Sequence, residues 1–455
     1  MRRAVLLLAS TALGVLLCAI AIGGPPTVAQ ESGRPNIIFI LTDDLDAHPK
    51  SISRMPNLRR YLINQGTTFE NAFVTTSLCC PSRATFLRGQ YSHNHRVLTN
   101  DPPLGGAKRF RKLGREKSTI ATWLQGGDYR TVLIGKYLNH YQPPKPPGWD
   151  QWVGQHAPDG TYQTDYYARK AASFIRNTKG ERQPFFMWLS TGAPHNPAEP
   201  PPRYADRFPN VIAPHPPSFN EQDVSDKPRW IRQKKLLTST NIHRRIDKPY
   251  GNRLRSMLAV DDLVGRLVDS LRYSRKLSNT YIVFTSDNGW SMGEHRRAKG
   301  KWSAYEEDIR VPLIVRGPSV PEGEVRTHMV LNNDFAPTFA KLGGVPTPSF
   351  VDGRSFVPLL HRNPPRPSRW RSAFLEEAVA SNSSDRPAFE AIRTTTNLWV
   401  EYASGERELY NLKEDPYELQ SLHNTASPDF KRHLARRLDR LRDCSREGCR
   451  NAEGF

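Results

Sequence analysis

Four short runs of apolar residues stand out along the chain, at 36–41, 131–134, 185–189 and 281–285. A continuous apolar run without polar alternation is typical of a strand that is buried on both faces. Segments with helical periodicity separate these runs, and the clearest is 254–273, where apolar residues recur every three or four positions. The pattern predicts an α/β fold, with a mostly parallel sheet between layers of helices.

Polar residues follow these runs, and in a parallel sheet such residues meet at one edge. Asp43 and Asp44 follow the first run, and Asp287 and Asn288 follow the fourth. Neighbouring buried carboxylates repel one another unless a cation neutralises them. Oxygen ligands suit a hard cation, so the sequence predicts a Ca²⁺ site, with Mg²⁺ as the alternative. A single Asp pair is commonly a helix cap or a solvated turn, but two pairs after two buried strands favour the metal site.

Composition divides the rest of the chain. A stretch that is first Pro-rich and then basic, 194–248, predicts loops that line a cleft. Two further Pro-rich connections precede a region with strand patterns and a basic amphipathic helix at 429–443, which together predict a small C-terminal α+β subdomain. We expect a signal peptide at 1–29, a catalytic domain at 30–345, a linker at 346–370 and the C-terminal subdomain at 371–455.

The beginning of the chain predicts export. Arg2 and Arg3 precede an uncharged run that continues to Gly24, and the small residues of Thr27-Val28-Ala29 suit a signal-peptidase site. The same run is long enough to span a bilayer, so an uncleaved anchor is the alternative. We expect a secreted or extracytoplasmic protein that contacts a membrane only if this segment is retained.

The net charge is +20, and cleavage after residue 29 would remove two arginines and no acid, leaving +18. A basic exported protein favours polyanionic partners, although an Arg-rich solvated surface explains the charge equally well. RNP-like aromatic segments and zinc-finger spacings are absent from the sequence, which argues against nucleic acid as a partner. In an exported protein the spacing of Cys444 and Cys449 predicts a disulfide.

The segment Cys79-Cys80-Pro81-Ser82-Arg83 carries the strongest chemical signal. Pro81 suits the first turn of a helix. A residue at a helix start lies near free backbone N–H groups, which favour an anion such as sulfate. The ordinary alternative is a helix start with two buried structural cysteines.

This segment resembles the C-x-P-S-R signature of the formylglycine-dependent sulfatases, with motifs closest to N-acetylglucosamine-6-sulfatase-like and arylsulfatase members. In that family the first Cys of the signature, here Cys79, is oxidised to formylglycine (3-oxoalanine) by a formylglycine-generating enzyme. The resemblance implies an alkaline-phosphatase-like fold. It also implies a sulfuric ester hydrolase that acts on a sulfated small molecule or glycan.

Other segments extend the resemblance over nearly the whole chain after residue 29. The cation ligands that it implies are Asp43, Asp44, Asp287, Asn288 and the modified Cys79. The catalytic residues that it implies begin with Cys79, the precursor of the nucleophile, and Arg83, which holds the formylglycine hydrate. Lys136 of Gly135-Lys136 would bind the sulfate or the hydrate, and His195 of Pro194-His195-Asn196-Pro197 would contact sulfate. Lys301 would lie beside the leaving-group oxygen. Leu409-Tyr410-Asn411-Leu412, followed by Asp415-Pro416 and Glu418, resembles the C-terminal signature of the family.

The reaction that the resemblance implies uses both hydroxyls of the formylglycine hydrate. One attacks sulfur, and the other then loses its proton and expels sulfate, which restores the aldehyde. A cysteine thiol could not perform this second step, so the modification has a chemical reason. Lys301 or His195 would protonate the leaving alcohol.

The chain departs from many arylsulfatases at Leu138, where those enzymes have His two residues after the lysine of Gly135-Lys136. Leu138 and the segments 43–46 and 91–95 resemble N-acetylglucosamine-6-sulfatases and the extracellular heparan endosulfatases. The departure leaves open which base regenerates the aldehyde. The candidates are His93, His95 and His140, each of which also has an ordinary interpretation as a surface or cleft-wall residue.

Two other functions are compatible with the sequence. The first is a phosphonate or phosphate monoester hydrolase on the same fold. The second is a catalytically silent protein that binds sulfated glycans, in which Cys79 would remain unmodified.

Overall fold

The computed structural model describes residues 33–154, 156–380 and 385–454, so the predicted signal segment 1–29 lies outside it. These residues form a central eight-stranded sheet in the order β5-β4-β6-β1-β7-β8-β2-β9, a short β10-β3 pair and a four-stranded sheet, β11-β12-β13-β14. The strands are β1 (Asn36–Thr42), β2 (Thr67–Phe69), β3 (Ala72–Phe73), β4 (Arg130–Gly135), β5 (Gln151–Val153), β6 (Phe185–Ser190), β7 (Thr280–Ser286), β8 (Leu313–Arg316), β9 (Glu324–Arg326), β10 (Val330–Leu331), β11 (Ala373–Ala378), β12 (Phe389–Thr394), β13 (Asn397–Tyr402) and β14 (Arg407–Asn411).

The four apolar runs of the sequence are four adjacent strands of the central sheet, β4, β6, β1 and β7. All three pairings between them are parallel. The antiparallel pairings occur where β8 joins β7 and where β2 joins β8. The mixed, mostly parallel sheet is therefore confirmed, and the antiparallel strands lie toward one side of it.

Helices cover both faces of the central sheet. The α-helices of the described residues, in chain order, are α1 (Pro49–Ile52), α2 (Pro56–Leu58), α3 (Cys79–Arg88), α4 (Ser92–His95), α5 (Gly106–Lys112), α6 (Ile120–Gly126), α7 (Gln163–Asn177), α8 (Arg229–Arg232), α9 (Ser239–Ile242), α10 (Lys248–Tyr273), α11 (Glu306–Ile309), α12 (Phe335–Gly343), α13 (Pro428–Arg442) and α14 (Glu447–Glu453). Alternate residues of β1 point to opposite faces. Phe39 packs in the core with α3, α6 and α12, whereas Ile38 packs with α7 and α10.

Helix α10 begins earlier than the predicted 254–273, because its first turns bury residues under loops instead of against the sheet. Pro249 lies in the first turn, where a missing N–H is tolerated. Tyr250 packs with Ile246 and Met292, in a small core of its own. Within the described ranges, no helix is both long enough and apolar enough to cross a membrane.

The C-terminal region is the expected α+β unit. Strands β11 to β14 form an antiparallel sheet, and α13 packs its buried leucines against it. The sequence analysis missed β11 and α14. Cys444 and Cys449 form the predicted disulfide, which links the end of α13 to α14. From Gly33 onward the chain is one compact unit, and the domain boundaries at 345 and 370 stay predictions.

Candidate active site

The carboxyl ends of β1 and β7 form the centre of the site. The parallel register pairs Thr42 with Ser286, so the residues that follow lie side by side. The Asp287 N–H donates to the Thr42 carbonyl at 3.1 Å, and the Asp44 N–H donates to Asp287 Oδ1 at 3.1 Å. Asp43, Asp44, Asp287 and Asn288 are at most 1% exposed. The structure therefore brings the four predicted metal ligands together.

Two oxygens of this group have no hydrogen-bond partner in the described residues, although both are buried. They are Asp44 Oδ2 and Asn288 Oδ1, and the Asn288 amide donates to the other Asp44 oxygen at 2.7 Å. Buried acceptors without a partner carry a large desolvation penalty. Ligand atoms of Asp43, Asp44, Cys79 and Asp287 lie within 4.8 Å of one another. The residues present therefore fit a hard divalent cation.

Cys79 is the first residue of α3, and the extended backbone of Leu78 leads into it. Its Sγ lies 3.4 Å from Asp43 Oδ1 and 2.7 Å from Lys301 Nζ. Burial raises the pKa of the Cys79 thiol well above its usual range. An unmodified thiol at this position would therefore be a poor nucleophile at neutral pH.

Cys80 points into the hydrophobic core with residues of β1 and α12, away from the carboxylates. Burial raises the pKa of Cys80 to about 11. The helix start therefore separates the two adjacent cysteines into one site residue and one core residue.

Arg83 lies one turn after Cys79 on the same face of α3 and is fully buried. Its Nε donates to Asp287 Oδ2 at 2.7 Å, and its Nη1 donates to Ser190 Oγ at 2.7 Å and to the Lys136 carbonyl at 2.9 Å. Desolvation opposes its charge, but the carboxylates of Asp287 and Asp43 raise the pKa of Arg83. One guanidinium thus joins the ends of β4, β6 and β7.

Lys136 reaches the site because Gly135 allows β4 and β6 to end close together. Gly135 has φ +92°, and a Cβ there would lie 1.9 Å from the Ser190 carbonyl oxygen. The chain then turns, and Lys136 Nζ lies 2.5 Å from Asp43 Oδ2.

Lys301 and His195 enter from loops. Lys301 Nζ contacts Asp44 Oδ1 in addition to Cys79 Sγ. His195 is at the rim, with its side chain 42% exposed and its Nε2 3.7 Å from Asp44 Oδ2. Its Nδ1 is 2.7 Å from the Asn196 carbonyl, so in the neutral ring that nitrogen carries the proton and Nε2 faces the site as an acceptor.

Three fixed cations face three carboxylates in the site. Burial acts to raise the pKa of Asp43, but Lys136, Arg83, His195 and Lys301 together lower it well below its usual range. Desolvation likewise opposes the charge of Lys301, yet Asp44 raises the pKa of that ammonium well above its usual range. A bound divalent cation would leave the site with excess positive charge, which suits an anionic ester.

The three candidate bases make contacts elsewhere. His93 Nδ1 lies 3.0 Å from Glu377 Oε1; desolvation opposes its charge, but Glu377 raises the pKa of His93 to about 9. His95 is buried, with Nε2 3.0 Å from Thr85 Oγ1, and His140 is exposed beside Asp101. None of the three contacts Cys79 in the described ranges, and Leu138 fills the core beside Cys80.

Two further residues shape the site, Ser190 and Arg253, and neither was predicted from the sequence. Arg253 is buried on α10 and donates to the Asp44 carbonyl at 2.5 Å and to the Pro194 carbonyl at 3.1 Å. Arg253 therefore holds the turn that contains Asp44, a predicted metal ligand, against the loop that contains His195. The signal was present, because an arginine at a buried position of an amphipathic helix needs polar partners. The assignments of Cys79, Arg83, Lys136, His195 and Lys301 as catalytic groups stay predictions.

Family profiles match most of the chain. The profile described as Sulfatase matches residues 35–345. The profile described as N-sulphoglucosamine sulphohydrolase, C-terminal, matches residues 293–444.

Individual relatives extend this likeness. The chain is 38% identical over 414 residues to the extracellular sulfatase SULF-1 homolog of Drosophila melanogaster, covering 84% of this chain but only 36% of that protein. It is 31% identical to the N-acetylglucosamine-6-sulfatase of Capra hircus, covering 95% of this chain and 88% of that protein.

A solved structure is similar over almost the whole fold. It is BT4656 in complex with its substrate D-glucosamine-2-N,6-O-disulfate, with a TM-score of 0.78 and 27% identity, covering 93% of this chain and 100% of that one. The Sulfatase profile spans most of the chain, and the goat relative is 31% identical along nearly all of it. The chain therefore belongs to the sulfatase family.

Proposed function

We propose that this protein hydrolyses sulfate esters of sulfated sugars, using a formylglycine formed at Cys79 and a divalent cation, Ca²⁺ or Mg²⁺. Asp43, Asp44, Asp287 and Asn288 would hold the cation together with the modified Cys79. The observation that carries the proposal is the position of Cys79 at the start of α3, with its Sγ 3.4 Å from a carboxylate oxygen and 2.7 Å from Lys301 Nζ.

The hydrated formylglycine would supply an attacking oxygen, and the cation would balance negative charge next to it. Arg83 orients this centre, because its guanidinium is fixed by Asp287 and Ser190. Lys136 binds the sulfuryl oxygens as a positive charge beside Asp43.

Lys301 holds the proton for the leaving alcohol. Its Nζ lies 2.7 Å from Cys79 Sγ and is protonated, since Asp44 raises its pKa. His195 is the second acid–base candidate, because its Nε2 faces the site from an exposed position. Its Nε2 lies 3.7 Å from Asp44 Oδ2, while His93, His95 and His140 have other partners. We therefore propose His195 as the base that regenerates the aldehyde.

The substrate that we propose is a sulfated amino sugar or a glycan containing one. Leu138, in place of the arylsulfatase-type His, supports this choice. The names of the goat relative and of the ligand in the BT4656 complex support it as well. An aryl sulfate would still react, because a phenolate leaves with little help from an acid.

Export and maturation belong to the same proposal. The predicted signal segment and the Cys444–Cys449 disulfide support a secreted or extracytoplasmic protein. Formation of formylglycine requires a formylglycine-generating enzyme as a partner during maturation.

Two measurements on protein produced together with a formylglycine-generating enzyme test the proposal. The first is mass spectrometry of the tryptic peptide 61–83, which should carry formylglycine at Cys79 and an unmodified Cys80. The second compares kcat/KM for N-acetylglucosamine 6-sulfate with the matched 6-phosphate and with a phosphonate monoester.

Sulfate ester turnover that disappears after chelation and returns with Ca²⁺ or Mg²⁺ is the expected result. Faster turnover of the phosphate or phosphonate would assign the protein to the other hydrolase class. Unmodified Cys79 with retained glycan binding and no turnover would instead identify a silent binding protein.

A further inference from the structure

A cleft of 680 Å³ opens beside the candidate active site. Leu78, which precedes Cys79, and Lys301, which contacts Cys79 Sγ, line its inner end. Its outer part lies between residues 234–245 and the loop 296–302. A molecule whose sulfate reaches Cys79 would therefore place its next group in this cleft.

The lining of the cleft is strongly basic. Eight lysine or arginine side chains line it, against one carboxylate, that of Asp385. Three of these cations already have carboxylate partners. Lys234 Nζ lies 2.9 Å from Asp385 Oδ2, Arg297 Nη2 lies 2.7 Å from Asp308 Oδ2, and Lys301 pairs with Asp44.

Lys235, Arg245 and Lys299 are exposed, and none of them forms an ion pair within the described ranges. Arg296 is different, because its guanidinium donates to three backbone carbonyls, those of Glu221 at 2.8 Å, Gln222 at 2.6 Å and Lys234 at 3.2 Å. It therefore adds a fixed positive charge without a carboxylate to neutralise it. The cleft thus has excess positive charge along its walls.

Like charges that line a concave surface repel one another, and they concentrate anions there. Trp230 and Trp302 line the cleft too, but they are only 5% and 7% exposed. Lys234 lies over the ring of Trp230. The cleft therefore presents positive charge and little open aromatic surface for stacking. We expect it to bind the anionic groups of its ligand.

We infer that this cleft is an anion subsite for the substrate. It binds a sulfate or carboxylate group on a sugar next to the one that carries the scissile ester. The preferred substrate is then a polyanionic oligosaccharide instead of a single sulfated sugar. This inference rests on the proposed function, since it takes Cys79 as the point where the ester reacts.

A charge-removing variant tests the inference against a matched control. The cleft variant combines Lys235→Ala, Arg245→Ala and Lys299→Ala. The control variant combines Lys108→Ala, Arg169→Ala and Lys341→Ala, which are also exposed, have no ion pair in the described ranges and lie outside the cleft lining. Both variants remove the same charge, so an effect of net charge alone would appear in both.

The substrates are N-acetylglucosamine 6-sulfate and a heparin-derived tetrasaccharide, each assayed over a range of NaCl concentrations. We expect the cleft variant to lose about 10- to 100-fold in kcat/KM on the tetrasaccharide, mostly through KM, and less than about twofold on the monosaccharide. Its salt dependence on the tetrasaccharide should also become weaker. Equal losses on both substrates, or equal losses in the control variant, would overturn the inference.

A binding measurement distinguishes the case in which the subsite inference is wrong from the case in which the proposed function is wrong. Calorimetry with the tetrasaccharide on Cys79→Ala protein needs no turnover. If the added cleft substitutions weaken binding while the wild type turns over neither sugar, the subsite stands and the hydrolase proposal fails. If they leave binding unchanged, or if a single-stranded oligonucleotide binds as tightly as the tetrasaccharide, the inference is wrong.

Discussion

Two buried groups of acids differ in the charges that face them. The first is the ligand group of the candidate active site, Asp43, Asp44, Asp287 and Asn288. The second, which we call the second acidic cluster, consists of Glu221, Glu294, His295, Glu307 and Glu418. Ligand atoms of His295, Glu307 and Glu418 also lie within 4.8 Å of one another. By residue type and burial alone, both groups resemble metal sites.

The pKa values of the acids and the cations beside them distinguish the two groups. Burial raises the pKa of Glu307 and of Glu418 well above the usual range, and it raises that of Glu294 to about 7. Burial also lowers the pKa of His295 well below its usual range, and Lys227 adds to that effect. Arg297 faces this cluster but is already paired with Asp308, and Lys227 contacts the cluster only through Glu221 Oε1, at 3.4 Å within the described residues.

In the active site, by contrast, Arg83, Lys136 and Lys301 contact the carboxylates directly. Against the effect of burial, these cations lower the pKa of Asp43, whereas burial and Asp43 raise the pKa of Asp287 although Arg83 opposes them. A cation binds ionised carboxylates, whereas a neutral acid must first release its proton. The comparison teaches that fixed cations beside the acids, more than burial or residue type, distinguish the site prepared for a metal.

The largest effect on turnover should come from replacing Cys79, because only the first group of acids has a proposed nucleophile beside it. Cys79→Ala should lower kcat at least about a thousandfold, because it removes the attacking group while the fold remains. Cys80→Ala is the matched control and should keep activity within several-fold, since its side chain lies in the core. The assay is turnover of N-acetylglucosamine 6-sulfate, with circular dichroism to check folding. The reverse pattern would exclude Cys79 as the modified residue.

The second-largest effect should be on bound metal, which should differ between variants of the two groups. Asp287→Asn should weaken binding of Ca²⁺ or Mg²⁺ by about tenfold or more, because it removes a charged oxygen ligand. Glu307→Gln, in the second acidic cluster, should leave metal content and activity near wild type. Elemental analysis after dialysis against a chelator and then Ca²⁺ makes the measurement. Loss of metal in Glu307→Gln, or full activity in exhaustively demetallated protein, would contradict the comparison.

Lys301 tests the role of the cations beside the first group. Lys301→Ala should lower kcat/KM for the sugar sulfate about 10- to 100-fold more than for a nitrophenyl sulfate, because a sugar alkoxide needs the acid and a phenolate does not. Lys108→Ala is a control that removes the same charge outside the cleft lining. Equal losses on both substrates would remove Lys301 as the acid.

The smallest effect concerns stability and pH in the second acidic cluster. A carboxyl whose pKa is higher in the folded protein stabilises it fully at pH values below the unfolded pKa. That stability is lost as the pH rises through the folded pKa. For Glu294 this window runs from 4.5 to about 7.

Across this window the unfolding free energy of the wild type should therefore fall further than that of Glu294→Gln. The difference between the two falls should be roughly 1–3 kcal/mol. Urea unfolding at several pH values measures it, and Glu322→Gln is an exposed control. An unchanged decline would show that the second cluster is ionised in the folded protein.

Much of the site could be predicted because its signals are local. The apolar runs identified β1, β4, β6 and β7, and the polar residues after them identified one edge of the sheet. The resemblance of Cys79-Cys80-Pro81-Ser82-Arg83 to the sulfatase signature implied which cysteine faces that edge. The short spacing of Cys444 and Cys449 likewise indicated their disulfide.

Other features depend on residues far apart in the chain. The sequence alone could not exclude His93, His95 or His140 as bases, because their partners Glu377, Thr85 and Asp101 become visible only after folding. Arg253 was missed for the same reason, since its acceptors belong to segments about 60 and 200 residues away.

The sequence by itself determined the fold class and the polar edge, because periodicity acts over a few residues. The resemblance to the sulfatase signature added the prediction that Cys79 is the modified residue. Tertiary structure alone decided which cations lie beside each group of acids and which cations of the cleft lack a carboxylate partner in the described residues. Loops 234–245 and 296–302 form the basic cleft only when they meet. Likewise, Lys301 reaches Cys79 across 222 positions of sequence. Electrostatic energies depend on distance and burial in space, and neither can be obtained from the order of residues along the chain.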